Sequence, residues 1–384
     1  MANSANIGIV GAGIFGMAAA LELRSRGHDV MLFERGEIPN PKASSTDVSK
    51  VIRRTNYPNE SYVELVTRAA VQWREWHNQL SQSIYYQTGN LIVVRDFERE
   101  HEALAGWETL SRLGKDVTKL TVNEARERFP QFSVHEEDTL FYDPWAGYLR
   151  SGQAMADLAQ FAREDGVVVR ENTVVREVAE TAFGARVVCD SDAMTFDRII
   201  VAAGPWVAHL LPQLKTHVRL TRQQMAFFIP KDVARFERER FPVWSILSPS
   251  NLWYGFPLLH EGFVKVAEDS KVDDTTVDVE REPTEAFLDW AREFVAARIP
   301  ELSEGELVGG RSCLYTNMAN MDDEQFVIDW APGCERVLIA GCGCGHGFKF
   351  GGAIGPVIAD ALEDRQNRLG DLFRIGKRFE SGAK

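Results

Sequence analysis

The chain has 384 residues, 45% of them hydrophobic and 26% charged, the profile of an ordinary globular protein large enough for two or three domain-sized units. With 43 basic against 56 acidic side chains its net charge is −13, which excludes nucleic acid and anionic membrane surfaces as expected partners. No stretch reaches the ~20 apolar residues of a membrane span. "MANSANIGIV" has no signal-peptide pattern and five cysteines make no disulfide framework, so a reduced, cytoplasmic setting is expected.

The first predicted unit is the most informative. An apolar run over residues 7–10 reads as a buried strand, followed by the turn Gly11-Ala12-Gly13-Ile14-Phe15-Gly16. The spacing of Met17, Ala20, Leu21 and Leu23 predicts a helix, Gly27 stops it, and "VMLF" gives a second strand with Glu34 at its end. In such a unit Gly11 makes the tight turn, Gly13 lets backbone approach a pyrophosphate, and Gly16 lets helix and strand pack closely. The helix N-terminus, at Ile14 and Phe15, offers free N–H groups and the positive end of its dipole to phosphates. Glu34 can accept hydrogen bonds from both ribose hydroxyls. With Arg35 beside it, an unphosphorylated ribose is favoured, hence FAD or NAD over NADP.

Further along, residues 81–144 contain "YYQTGNLIVV" and charged helical stretches such as "FEREHEALAGWETLSRLG". Residues 165–180 predict two short strands, with Val175 near the second. Residues 194–214 predict a strand entering the turn around Ala203, Gly204 and Trp206, then a helix. Alternation in "MAFFI", "LWYGF" and "FVKVA" predicts strands of a mixed or antiparallel sheet, and a helix is predicted near "PTEAFLDWAREFVAARIP". Residues 336–364 predict a strand, a glycine-rich turn and a helix starting at its glycines. Several βα units returning to one glycine-dense region favour FAD over NAD. The expected fold is α/β: a Rossmann-like FAD-binding domain (1–80, 145–215, 325–375) interleaved with a mixed-sheet substrate domain (81–144, 216–324), then a C-terminal tail (376–384).

Three residues stand out before any family is considered. Lys265 falls on an apolar strand, where an unpaired ammonium is costly. Lys349 sits between two phenylalanines in the glycine-rich turn. Cys313, in "RSCLYTN", reads from its residue type first as core filling, with a redox thiol and a covalent anchor as the alternatives. Cys342 and Cys344 have no accompanying ligand cluster, so no metal is expected.

Five stretches, "GIVGAGIFGMAAALELRSRG", "STDVSKVIRRTNYPNESYVELVTRAAVQW", "WYGFP", "SCLYTN" and "GHGFKFGGAIG", occur in an order and spacing that resembles the monomeric sarcosine oxidase family, which also contains N-methyltryptophan, pipecolate and fructosyl amino acid (amadoriase) oxidases. The likeness spans nearly the whole chain, and the last two stretches are its most specific part. It implies FAD as cofactor, bonded covalently through the Cys313 sulfur. It also implies that Arg53 and Lys349 hold a substrate carboxylate, that Lys265 activates dioxygen, and that Tyr254 and Tyr315 line the substrate region. Ser45, Thr46 and Lys50 would lie near the flavin, as would Gly345, His346, Gly347 and Phe348.

Two departures bear on substrate. Asp269 stands where the sarcosine-oxidising members carry a histidine, and Thr46 and Lys50 replace a histidine and an arginine. An acid at Asp269 suits hydroxyls or a second amine and does nothing for a bare N-methyl group. The resemblance therefore implies oxidation of the C–N bond of a secondary-amine amino acid, either an Amadori (fructosyl) compound or a cyclic imino acid. The imine would hydrolyse and O2 would become H2O2. A sarcosine or N-methyl amino acid oxidase, and a flavin dehydrogenase with a non-oxygen acceptor, are the alternatives. The resemblance favours a monomer whose partners are the small-molecule amine and O2.

Overall fold

The computed structural model describes residues 4–95, 101–248, 251–270 and 273–379, with only the backbone of residues 101, 102 and 377. Among them a six-stranded sheet, an eight-stranded sheet and two three-stranded sheets form.

The six-stranded sheet runs in the order 327–330, 337–341, 198–201, 6–10, 29–33 and 168–170. All neighbours are parallel except the first pair. The central strand Asn6–Val10 sets Ile9 against Ile200 on one side and Leu32 on the other, so the apolar runs become the middle of a sheet covered on both faces. Alternation then divides their side chains. Ile7, Ile9, Leu32 and Ile200 pack with the helices Ile14–Ser25, Glu60–Gln79 and Gly351–Leu362, whereas Val10, Phe33, Ile199 and Val201 pack with the meander of residues 175–196. The helices approach closely because the last one begins "GGAIG". A Cβ on Gly355 would lie 2.5 Å from the Ala18 carbonyl oxygen, and one on Gly352 2.4 Å from that of Ala69.

The eight-stranded sheet has the order 306–318, 218–229, 264–268, 252–258, 243–247, 90–94, 139–143 and 118–120. Strands 243–247 and 90–94 run parallel and the other pairs antiparallel, so the sheet is mixed. The helix Glu285–Arg298 is capped by Thr284, whose side chain accepts from the Phe287 N–H. It buries Phe287, Leu288, Ala291 and Val295 as one stripe, packed with Trp253, Val264 and Val266 from one face of the sheet. Period two sends the intervening residues to the opposite face. There Met225, Tyr254, Ala267, Cys313 and Tyr315 cluster, and Lys265 projects on the same side of its strand as Ala267.

A small sheet of Lys50–Ile52, Gly147–Leu149 and Tyr85–Gln87 combines residues from both units expected from sequence, so a partition at residue 81 cuts through paired strands. Residues 376–379, expected to begin a tail, form a packed turn. Phe379 stacks on His217 at 4.1 Å, and Arg378 donates to Asp323 and to the Phe326 carbonyl. Residues 380–384 of that tail lie outside the described residues, as do residues 97–100 of the predicted charged helical stretch, whose helix spans His101–Arg112. Among the described residues no helix is long and apolar enough to cross a membrane.

Candidate active site

A cleft of about 550 Å3 opens where the glycine turn, the Glu34 strand end and the eight-stranded sheet meet. At one end the turn is built as the sequence demands. Gly11 has φ +104°, its N–H donates to the Phe33 carbonyl at 2.8 Å, and a Cβ there would lie 2.4 Å from the Ala202 carbonyl oxygen. Gly16 does not reach the cleft; a Cβ on it would lie 1.9 Å from the Gly11 carbonyl oxygen, so it serves packing. A Gly11→Ala variant is expected to lose about 2 kcal/mol from backbone strain and the contact with Ala202, and to retain less flavin. Thermal denaturation and flavin content measure both effects.

Glu34, only 6% exposed, holds this turn from the side. Its Oε2 accepts the Ala12 N–H at 3.0 Å and its Oε1 accepts from Asn40 Nδ2 at 2.8 Å. Lone pairs remain on the carboxylate for ribose hydroxyls. Ser45 Oγ accepts the Ile14 N–H at 2.9 Å, which ties residues 43–46 to the helix start. Arg35 lies over the Trp206 ring at 4.4 Å, beside Val175, Ala203 and Gly204 along the cleft.

The far end is lined by Lys50, Leu314, Tyr315, Gly345, Gly347 and Phe348. Here a sequence expectation fails locally. The last helix does not begin at the turn glycines; Cys342, Cys344 and Gly345 have φ of 53°, 44° and 79°, and the chain makes a 3-10 turn at Phe348–Phe350 before the helix starts at Gly351. Left-handed residues cannot continue into a helix, so the turn stays open along the cleft. His346 and Thr46 are not among the cleft-lining residues. The Thr46 N–H donates to the Ala43 carbonyl, while His346 lies among Tyr57, Tyr62 and Phe326.

Beside this end the structure gathers the charged residues singled out from sequence. Lys265 is 1% exposed, and its Nζ donates to Asp47 Oδ2 at 2.5 Å and to the Ser49 carbonyl at 2.9 Å. Lys50 Nζ stands 3.3 Å from the same Asp47 oxygen. Burial outweighs the attraction of Asp47 and lowers Lys265 to about 8. Burial alone would raise Asp47, but Lys265, Lys50 and Arg311 together hold its carboxyl well below the usual range. Cys313 does not line the cleft. It is 3% exposed, packed with Met225, Ala267, Tyr254 and Tyr315, and an electrostatic neighbour of Lys50, Lys265 and Arg281.

Lys349 forms a second cationic centre. Its Nζ donates to the Tyr57 hydroxyl at 3.0 Å and to the His346 carbonyl at 2.8 Å, and its own carbonyl accepts from Trp73 Nε1 at 2.8 Å. Burial, reinforced by Arg53, pushes Lys349 well below its ordinary value. Arg53 lies on the loop after the strand Lys50–Ile52, donates to the Thr55 carbonyl and faces the Tyr57 ring at 5.8 Å. Its neighbour Arg54 is committed elsewhere, to the buried Asp143 at 3.0 Å. His346 Nε2 donates to the Glu324 carbonyl at 3.0 Å, leaving Nδ1 to accept the Tyr57 hydroxyl at 3.2 Å. Tyr254 and Tyr315 hydroxyls lie 3.5 Å apart; burial pushes both phenols well above their ordinary value and keeps them protonated. Asp269, half-buried at the end of the Lys265 strand, shares a small pocket with Tyr315, Asn317 and Glu324.

Sequence reading missed Asp47 and Tyr57. A buried lysine at 265 requires a counter-ion, and the acid in "STDVSK" was the available signal, but nothing local joins residues 218 positions apart. Among the described residues no group of three or more histidine, cysteine or acidic side chains is placed to hold a metal.

A glycine-built phosphate cradle continuous with buried cations beside an aromatic wall defines a dinucleotide-dependent redox enzyme. The chain belongs to the FAD-dependent oxidoreductase (DAO) family, whose model matches residues 6–361, and FAD is its cofactor. The structure fits that group: the cleft runs from the Glu34 end to Lys50 and Tyr315, and a Cβ on Gly341, which lines it, would meet no protein atom within 4 Å. The chain is 27% identical over 376 residues to monomeric sarcosine oxidase of Bacillus sp. (strain B-0618), covering 96% of this chain and 95% of the relative. It is 26% identical over 366 residues to N-methyl-L-tryptophan oxidase of Yersinia pestis (strain Pestoides F), covering 94% and 95%. Its fold matches the open form of NikD, an unusual amino acid oxidase essential for nikkomycin biosynthesis, with TM-score 0.83, 21% identity and coverage of 96% and 97%. It likewise matches the fructosamine oxidase Amadoriase II of Aspergillus fumigatus, with TM-score 0.81, 20% identity and coverage of 99% and 92%.

Proposed function

We propose that the chain oxidises the C–N bond of an amino acid bearing a secondary amine, with dioxygen as electron acceptor. The observation that carries this reading is the convergence of buried Lys265 and Cys313 and half-buried Lys50 with Tyr254 and Tyr315 beside one end of the cleft. FAD, when bound, supplies the two-electron acceptor for the amine and returns those electrons to dioxygen. Glu34, the glycine turn and the first turn of helix Ile14–Ser25 would hold its adenosine and phosphates. Cys313 would anchor it covalently through its sulfur.

Arg53 and Lys349 bind the substrate carboxylate. An arginine fork meets a carboxylate with two hydrogen bonds, and Lys349 has one N–H left after Tyr57 and His346. The surrounding cations disfavour a protonated amine, and only the neutral amine has a lone pair to assist oxidation. Tyr254 and Tyr315 form a dry wall with hydroxyl donors. Lys265 supplies a fixed positive charge for the reduction of dioxygen. The products are an imine, hydrolysed in water, and hydrogen peroxide.

Asp269 in its pocket favours a substituent that carries hydroxyls or a second amine, as in a fructosyl amino acid or a substituted cyclic imino acid. The sarcosine and N-methyltryptophan oxidases among the relatives support the alternative of an N-methyl amino acid. A panel of fructosyl-valine, pipecolate, proline and sarcosine decides between them. The purified protein is expected to be yellow, to bleach anaerobically with its substrate class, and to produce peroxide when air is admitted. A colourless protein that takes up no flavin, or bleaching without peroxide on re-aeration, sinks the oxidase reading; the latter outcome leaves a dehydrogenase with another acceptor. The same reading places the chain as a cytoplasmic monomer, which sizing in solution checks in part.

A further inference from the structure

The Asp47 carboxylate is shared by two cations inside the protein. Its Oδ2 lies 2.5 Å from Lys265 Nζ and 3.3 Å from Lys50 Nζ, and the Asp47 and Lys265 side chains are 0% and 1% exposed. Its Oδ1 accepts the Val48 N–H at 2.7 Å. Its backbone carbonyl accepts from the Gly152 N–H and Ser151 Oγ, each at 2.7 Å, so helix Ser151–Glu164 pins the residue in place. A fully buried ion pair is a poor source of folding stability, because desolvating both charges offsets their attraction. Nothing about the fold alone calls for a lysine there; its neighbours on that strand are apolar Val264, Val266 and Ala267, with the charged Glu268 at the far end.

We propose that Asp47 is a positioning residue for the oxygen reaction: it is the counter-ion that keeps Lys265 cationic and fixed beside Cys313, while also balancing Lys50. This rests on the reading of Lys265 as the cation that assists dioxygen reduction. The geometry supplies the argument. The groups facing Lys265 are Asp47 and Lys50 from residues 47–50, Cys313 from strand 306–318, and the Phe256 ring, 4.7 Å from Nζ on strand 252–258. Arg311 and Tyr254 face Asp47 in turn. Among the described residues Asp47 is the one carboxylate in ion-pair contact with Lys265. Remove its charge, and burial and Lys50 both act to strip the proton from Lys265. The carbonyl of Ser49 remains as an acceptor but brings no full charge.

The test follows Lys265 itself as well as turnover. Holoenzyme grown with 13Cε-labelled lysine is titrated by NMR, the Lys265 signal being assigned by its loss in Lys265→Met. The parent midpoint is expected near 8. Asp47→Asn should lower it by at least about one unit, tenfold in the ionisation constant. Reoxidation of the reduced enzyme by O2 at pH 8 should then slow by at least about fivefold, as the protonated fraction of Lys265 falls from about one half to about one eleventh, and recover as the pH falls below the new midpoint. A general loss of structure would not be rescued by acid. Lys50→Met frees Asp47 for Lys265 alone and should move the midpoint upward, a second check if Asp47→Asn does not fold. A Lys265 midpoint unmoved in either folded variant overturns the proposal and leaves the role of Lys265 intact. A midpoint that moves while the reoxidation rate ignores it overturns the oxygen role of Lys265, and with it that of Asp47.

Discussion

Replacing Lys265 with methionine is expected to leave a folded yellow enzyme whose reduced form reacts with O2 about 10^2–10^3-fold more slowly, the usual loss when one fixed electrostatic stabiliser is removed. The side chain is 1% exposed, so methionine fills the space that the aliphatic stem and ammonium vacate. Amine oxidation under anaerobic conditions should change little, because Arg53 and Lys349 are held by the Thr55 carbonyl and by Tyr57 and the His346 carbonyl, none of which Lys265 contacts by a hydrogen bond. The pH dependence gives a second signature. Lys265 is depressed from 10.5 to about 8, so its charge is complete well below pH 8 and is lost as the pH rises through that value. The parent's reoxidation rate should fall over this range, and that of Lys265→Met should be flat. Stopped-flow mixing of reduced enzyme with oxygenated buffer at several pH values measures both. An unchanged rate in the variant would place oxygen reduction elsewhere.

Denaturing the parent in acid is expected to precipitate the flavin with the polypeptide, and denaturing Cys313→Ala to leave it in the supernatant. Cys313 sits on the site face of the eight-stranded sheet, paired with Gln223 across the ladder and packed against Tyr254 and Tyr315. Its cationic neighbours are Lys50, Lys265 and Arg281. Such surroundings suit a cysteine sulfur that acts as a nucleophile. Alanine is the better replacement, since serine would bury a hydroxyl needing a partner, at about 1–3 kcal/mol. Free flavin recovered from the denatured parent would refute the covalent anchor while leaving FAD as the cofactor.

The nucleotide half was largely legible because its determinants are local. A strand, a glycine turn, a helix and an acid within residues 6–34 encode their own geometry: Gly11 needs its positive φ, and Glu34 reaches back to the Ala12 N–H. Alternation likewise announced the strands that carry Lys265 and Tyr254, since period two assigns a residue to a face before any sheet is assembled, whereas the long strand that carries Cys313 and Tyr315 was seen only in the structure. Backbone strain was less visible. Left-handed Cys342 and Cys344 carry no sequence signature, and they delay the last helix to Gly351.

Partners were decided only in three dimensions. That Lys265 is costly follows from its strand, but that Asp47 neutralises it depends on sheet order, which brings residues 218 apart to 2.5 Å. Tyr57, bound to Lys349 across 292 residues, is hidden for the same reason. Propensity and periodicity act over one turn or two strand residues and so fix turns and faces. Ion pairs and hydrogen bonds across the core are chosen by which faces the topology presses together, and burial then sets their charge.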